Sequence, residues 1–192
     1  MFCAYKSITA CILGLIAIIF REFRIREGRH SEMKLKIGVL SDTHLNNINE
    51  ELQRIKAQYL SDADYILHAG DIVSVEVVNY LNDGNFFGVH GNMDPYNVRE
   101  LLPEKMVLEF GPFRLGLIHG WGAKAGLEER ILNEFSEVNA IVYGHSHSPA
   151  NHVKDGILFF NPGTAMGYRA SGPHTIGILE IDKNITGRII EI

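Results

Sequence analysis

Five short apolar runs, each ending in a polar cluster, constrain this chain more than any other feature. Lys36-Ile37-Gly38-Val39-Leu40-Ser41 ends in Asp42-Thr43-His44, and the run 63–69 ends in Gly70-Asp71. Phe86-Phe87-Gly88-Val89-His90 ends in Gly91-Asn92-Met93-Asp94, Leu115-Gly116-Leu117-Ile118 in His119-Gly120, and Ala140-Ile141-Val142-Tyr143 in Gly144-His145-Ser146-His147. Apolar runs of this length closed by Gly or Asp read as buried strands, and helical patterns between them imply parallel crossovers. Residues 48–60 place Leu52, Ile55, Tyr59 and Leu60 near one helical face, and Val75–Leu81 and 127–135 behave similarly. Polar groups at the carboxyl ends of such strands converge on one edge of a sheet, where open α/β sheets bind their ligands.

The C-terminal part reads differently. Residues 157–160, Thr175–Ile181 and 188–192 predict antiparallel strands, joined by the turn sequences Lys154-Asp155-Gly156 and Asp182-Lys183-Asn184. Parallel and antiparallel segments together suit two packed mixed sheets with helices outside.

The clusters contain seven candidate metal ligands: Asp42, His44, Asp71, Asn92, His119, His145 and His147. Two divalent ions roughly 3.5–4 Å apart need several oxygen and nitrogen donors and a carboxylate placed to bridge them. One such residue at a strand end is readily a satisfied polar group. A single domain seldom buries this many His and Asp side chains without a metal.

In order and spelling these clusters resemble the calcineurin-like metallophosphoesterase superfamily, in particular its small YfcE-like phosphodiesterase branch. The resemblance covers nearly everything from Met33 onward. It implies a four-layer α/β/β/α sandwich. It also implies that Asp42, His44 and His147 hold one ion, that Asn92, His119 and His145 hold the other, and that Asp71 bridges them. The implied cofactor is a pair of divalent ions, manganese first, with nickel, iron, zinc or magnesium as alternatives. The implied reaction is hydrolysis of a small phosphodiester by in-line attack of a metal-bridging hydroxide, with Asp71, Asn92 and His119 as catalytic residues. Asn92, His90 and Arg169 are the implied substrate contacts. Many superfamily members carry His after the Asn; here that position is Met93, whose thioether has no proton to give. The YfcE-like branch also lacks His there. Pairing of small domains of this fold through exposed strands or loops further implies a homodimer.

Two other readings stand beside this one. The first is a phosphomonoesterase or nuclease, and the second a non-catalytic scaffold resembling the retromer subunit that shares this fold. A formal charge of −5 argues against tight non-specific binding to nucleic-acid backbones, which draws on Lys and Arg contacts to phosphate. The retromer-type scaffold has lost histidine ligands, whereas all seven positions are present here.

Residues 33–192 are long enough for one domain with a substantial core. Residues 1–32 stand apart as a leader. Its apolar run 8–20 follows Lys6 and precedes Arg21, Arg24, Arg26 and Arg29. A bilayer span takes about 20 apolar residues, so the leader reads as an upstream extension of a start at Met33, and the domain as cytoplasmic. The alternative is a membrane tether, with the arginines placing the domain on the cytoplasmic side. Both cysteines, Cys3 and Cys11, lie in the leader, so the domain holds no disulfide framework and no zinc-thiolate motif.

Other residues carry weaker signals. His68 reads as a hydrogen-bonded core histidine, and His90 as a residue at the substrate mouth or an exposed strand end. His152 and His174 read as surface or strand-packing residues. Asp94 orients a histidine or caps a helix starting at Pro95. Gly163, in the loop Asn161-Pro162-Gly163-Thr164, serves backbone geometry, and Trp121 covers the site edge or packs.

Overall fold

The computed structural model describes residues 22–25, 34–166 and 173–192. Two mixed sheets face each other. The first has the strand order β1 (Glu22–Ile25), β5 (Lys105–Phe110), β6 (Phe113–Ile118), β7 (Ala140–Val142), β9 (Ile157–Asn161), β8 (Ala150–Lys154). The second runs β11 (Ile185–Glu191), β10 (Thr175–Ile181), β2 (Leu35–Leu40), β3 (Tyr65–His68), β4 (Phe86–Gly88). Strands β2, β3 and β4 are parallel, as are β6, β7 and β9, while β10, β11, β5 and β8 add antiparallel neighbours. Strand β1, from the segment predicted to stand apart, pairs parallel with β5.

Alternation along the strands sorts side chains into layers, because successive residues point to opposite faces. Ile37, Val39, Leu67, Leu115, Leu117, Phe160 and Leu179 meet between the sheets. The other face of the β2 sheet packs on α1 (Glu50–Ile55), α2 (Val75–Leu81) and α3 (Tyr96–Leu101) through Leu52, Ile55, Val77, Leu81 and Val98. The outer face of the β6 sheet packs on α4 (Leu127–Leu132) through Leu127, Ile131, Ile141 and Phe159. These are the two packed mixed sheets with helices outside that the sequence pattern suits, and the four-layer α/β/β/α sandwich that the family resemblance implies.

Local chemistry sets the helix starts. Asn49 Oδ1 accepts the Leu52 N–H at 2.8 Å, and the Ser74 hydroxyl accepts that of Glu76 at 3.2 Å, each satisfying an orphan donor of a first turn. The helix read over 48–60 begins at Glu50 and widens after Ile55 into a π-helical turn, Lys56–Leu60. That turn carries Leu60 over Gly38, where an added Cβ would come within 2.4 Å of the Leu60 side chain. The last strand starts at Ile185, three residues before its predicted start. No helix among the described residues is long and apolar enough to cross a membrane. The apolar run 8–20 lies outside them.

Candidate metal centre

The sandwich brings the ends of β2, β3, β4, β6 and β7 together. Each ends in a sharp turn, and Asp42, His44, Asp71, His145 and His147 adopt φ between +49° and +67°. That region costs a non-glycine residue on the order of 1–3 kcal/mol and is occupied where the surroundings enforce it. Here the loops hold one another. Asp42 N–H donates to Gly70 O at 3.0 Å and His44 N–H to Asp71 O at 3.0 Å. His145 N–H donates to Asp42 Oδ2 at 3.1 Å, which also accepts from Ser41 Oγ at 2.6 Å.

Five of the seven candidates form two overlapping groups, Asp42 with His44 and His147, and Asp42 with Asp71 and His119. Asp42 Oδ1 stands 3.1 Å from His147 Nε2 and 3.9 Å from the Nε2 atoms of His44 and His119. Asp71 Oδ2 lies 3.7 Å from His44 Nε2 and 3.3 Å from His119 Nε2. Asp42 is thus the residue common to both groups, while Asp71 belongs to the second and also approaches His44 of the first. The remaining candidates meet each other: His145 Nδ1 is 2.9 Å from Asn92 Oδ1, and His145 Nε2 is 2.7 Å from Gly122 O.

These groups fit divalent ions. Asp42 Oδ1 and His119 Nε2 are buried, and what they face is the rest of the cluster, His147 Nε2 at 3.1 Å and Asp71 Oδ2 at 3.3 Å, a convergence of lone-pair donors that a cation would satisfy. The Nε2 atoms of His44 and His147 face each other at 3.4 Å, a contact that needs a proton or a cation between the lone pairs. His119 Nδ1–H donates to Ala69 O at 2.7 Å, which leaves Nε2 as the ligating atom.

Electrostatics inside the cluster is strong. Burial pushes the Asp42 carboxyl up, but His147, His119 and Ser41 together hold it below the usual carboxylate range. Asp71 is likewise held low: burial is outweighed by His119, the Met93 N–H and His44. Burial lowers the pKa of His44, with the carboxylates of Asp71 and Asp42 only partly opposing it. For His119 burial also acts downward, yet Asp71 and Asp42 overcome it and raise the pKa above the ordinary imidazole value.

Neighbouring residues support the ligands. His68 accepts the Gly70 N–H at Nδ1 and faces Thr43 Oγ1 with Nε2, both at 3.2 Å. Complete burial pushes its pKa down to about 3, so the hydrogen-bonded core histidine read from the sequence is neutral in the fold. Asp94 does neither task read for it. The helix α3 is capped at Pro95 without a side-chain bond, and the buried Asp94 carboxylate accepts the backbone N–H groups of Asp71, Val73 and Gly91 at 2.9, 2.6 and 2.7 Å. It ties the β3 loop to the β4 loop, a contact between segments far apart in sequence that capping logic does not reveal. At Gly91 a Cβ would meet Asp71 Oδ1 at 2.2 Å, so glycine lets these loops close. Below the ligands, Thr164 Oγ1 donates to Asp42 O and Asn161 Nδ2 to Gly144 O, each at 2.9 Å. Gly163 between them has φ +83°, in keeping with its expected backbone role.

His90, Asn92, Arg99, Glu104, His119 and Trp121 line a cavity of about 210 Å³ beside the centre. A cavity of about 600 Å³ under the π-helical turn has no histidine, and its one carboxylate, Asp83, pairs with Lys56 at 3.3 Å. Of these two cavities the smaller is the one that borders the candidate ligands, through Asn92 and His119. Arg169 lies outside the described residues. His152 stacks on Phe159 and bonds to Glu128 at 3.2 Å, and His174 is exposed, both away from the metal ligands.

Comparison with known proteins agrees with the geometry. The chain is 36% identical over 132 residues to the probable metallophosphoesterase MJ0623 of Methanocaldococcus jannaschii, covering 67% of each chain. It is 28% identical over 164 residues to phosphodiesterase MJ0936 of the same organism, covering 78% of this chain and 95% of that one. Among solved structures, an archaeal phosphodiesterase superposes with a TM-score of 0.65 at 26% identity, covering 82% of this chain and all of the other. Vacuolar protein sorting 29 from Cryptosporidium parvum shares the fold, with a TM-score of 0.64 at 21% identity over 83% of this chain and 98% of that one. Residues 35–184 match the calcineurin-like phosphoesterase superfamily domain, and the chain belongs to that superfamily.

Proposed function

We propose that the protein is a binuclear metal-dependent phosphodiesterase acting on a small phosphodiester. The observation that carries this reading is the pair of Asp/His groups sharing Asp42, in each of which the candidate ligand atoms lie within 4.8 Å of one another. Similarity to phosphodiesterase MJ0936 and to the archaeal phosphodiesterase structure supports it. Asp42, His44 and His147 would hold one ion and Asn92, His119 and His145 the other, with Asp71 between them. The donor set is imidazole, carboxylate and amide, which suits borderline or hard divalent ions such as manganese, iron, nickel or zinc, with availability selecting among them and manganese taken first. When bound, the ions would polarise the phosphoryl group and supply hydroxide near neutral pH.

The protein's own groups do the positioning. Asp94 and Met93 N–H fix the Asp71 carboxylate and its loop. The Ala69 carbonyl fixes the His119 ring. Asn92, held beside His145, has an amide that can contact a phosphoryl oxygen, and His90 stands on the same cavity wall.

The test uses full-length protein stripped of metal, resupplied with manganese and assayed on bis(p-nitrophenyl) phosphate, with p-nitrophenyl phosphate and a His119→Ala variant alongside. Diester turnover that requires metal and His119 and exceeds monoester turnover is expected. Correctly folded protein with no diester turnover across several divalent metals would overturn the reading.

A further inference from the structure

Resting on the phosphodiesterase reading, we propose that the cavity lined by Trp121 is an ester-group subsite selecting a flat, uncharged aromatic ring. Four observations converge on it. The cavity is walled by His119 and Asn92 themselves, so a group seated there belongs to an ester of the phosphorus at the metal centre. At about 210 Å³ it falls below the roughly 300–1,000 Å³ of pockets that take a whole ligand, and holds one part of a substrate. Trp121 lies on its wall and is still 41% exposed, an apolar ring left open next to a polar centre. Finally, the loop that carries Trp121 is built rather than loose. Arg130 on α4 donates Nε to Trp121 O at 3.1 Å and Nη1 to Ala125 O at 3.1 Å, and Nη2 binds Ala123 O.

The rest of the wall fits an aromatic group better than a second anion. Arg99 spends Nε and Nη2 on the carbonyl oxygens of Asp94 and Asn92 at 2.7 and 2.8 Å, and Glu104 adds a negative charge. The chemistry at position 93 points the same way. Met93 supplies no proton to a departing alkoxide, so efficient cleavage favours esters whose leaving group is a stable anion, as phenolates are.

An aryl ester and a nucleotide ester share this ring chemistry, and binding separates them. Trp121 is the sole tryptophan of the chain, so its fluorescence reports occupancy directly. Manganese-loaded full-length protein is titrated with phenylphosphonate, methylphosphonate and thymidine 5′-monophosphate, which share a phosphoryl dianion. Competition against bis(p-nitrophenyl) phosphate is measured for wild type, Trp121→Ala and Trp121→Phe. Phenylphosphonate is expected to bind roughly tenfold tighter than methylphosphonate, as aromatic stacking provides. Trp121→Ala should remove that preference, Trp121→Phe should keep most of it, and the methylphosphonate constant should stay unchanged throughout. A Trp121-dependent preference for the nucleotide over phenylphosphonate would support the subsite and assign it to a nucleobase. Equal binding of all three anions, or a preference that survives in Trp121→Ala, overturns the subsite. Turnover of the diester, read separately, decides the underlying phosphodiesterase reading.

Discussion

Met93 stands beside the centre, 50% exposed, with its N–H spent on Asp71 Oδ1 at 2.8 Å. Its side chain can shape the mouth but cannot protonate a leaving group. Rates should therefore fall steeply with leaving-group pKa, and Met93→His should flatten that dependence and speed alkyl esters by up to about 100-fold, the lower range of general acid catalysis. A series of aryl and alkyl diesters, with chemistry rate-limiting, checks both slopes; equal slopes in the two proteins would refute the assignment. Asp94 makes a second prediction at this scale. Asp94→Ala strips three backbone N–H groups of their acceptor, each worth roughly 1–3 kcal/mol when left buried and unpaired. Metal affinity should drop on the order of 10–100-fold along with stability, and metal titration with thermal unfolding measures the two together. Asp94 was the residue least legible in the sequence. Two of its three partners, Asp71 and Val73, lie on a loop more than twenty positions away, and nothing local marks them.

Among the elements, the contact between sheets depends on a ring seated against two glycines. Phe160 on β9 faces Gly177 on β10 and Gly187 on β11, where an added Cβ would approach the ring to 2.4 and 2.5 Å. Overpacking by Gly177→Ala should cost about 1–3 kcal/mol, and Phe160→Ala about 3–5 kcal/mol through the cavity it leaves. Gly177→Ala combined with Phe160→Leu should cost less than the sum of the two changes, because they act on one contact; denaturant unfolding of wild type, the two single variants and the double variant tests this. Elements also differed in how readily they could be read. The apolar strands β2, β3, β6 and β7 are buried on both faces and announce themselves as runs. Strand β5 carries Lys105 and Glu109 on a half-exposed surface and β8 carries Asn151, His152 and Lys154 on an exposed one, so their strand character comes from pairing with β6 and β9.

For the molecule as a whole, the buried titratable groups set opposing pH limits on the metal-free fold. His68 has a folded-state pKa near 3, below the unfolded value of about 6.5. The unfolded chain therefore binds the extra proton, and stability falls as pH drops from about 6.5 toward 3, by at most about 1.4 kcal/mol per pH unit. Asp42 and Asp71, both held low, likewise lose their contribution on acidification below the usual carboxylate range. His119 acts the other way. Burial opposes its proton, but the Asp71 and Asp42 carboxylates raise its pKa, so its contribution is complete below about 6.5 and is lost as pH rises through the raised value. Metal-free protein should be most stable near neutrality, and added divalent metal should raise its melting temperature most on the alkaline side. Metal uptake should release a proton wherever His119 is still protonated, because its ligating imidazole nitrogen must be free. Thermal unfolding across pH with and without manganese, and calorimetry in buffers of different ionisation enthalpy, check the two statements. A melting temperature unmoved by metal at every pH would refute the first.

The sequence by itself determined the layers and the places where chemistry gathers, because both rest on local signals. Strand and helix periods follow from which side chains an element can bury. A polar cluster closing an apolar run marks a strand end whichever partner the strand finds. Tertiary structure alone decided how those ends meet. It made Asp42 Oδ1 common to two groups, bent five candidate ligands into left-handed backbone, paired His145 with Asn92, and set Asp94 across two loops. It also opened the cavity that joins Trp121 to His119. Each of these is a contact between residues remote in the chain, fixed by the packing of two sheets, and no local pattern encodes such a distance.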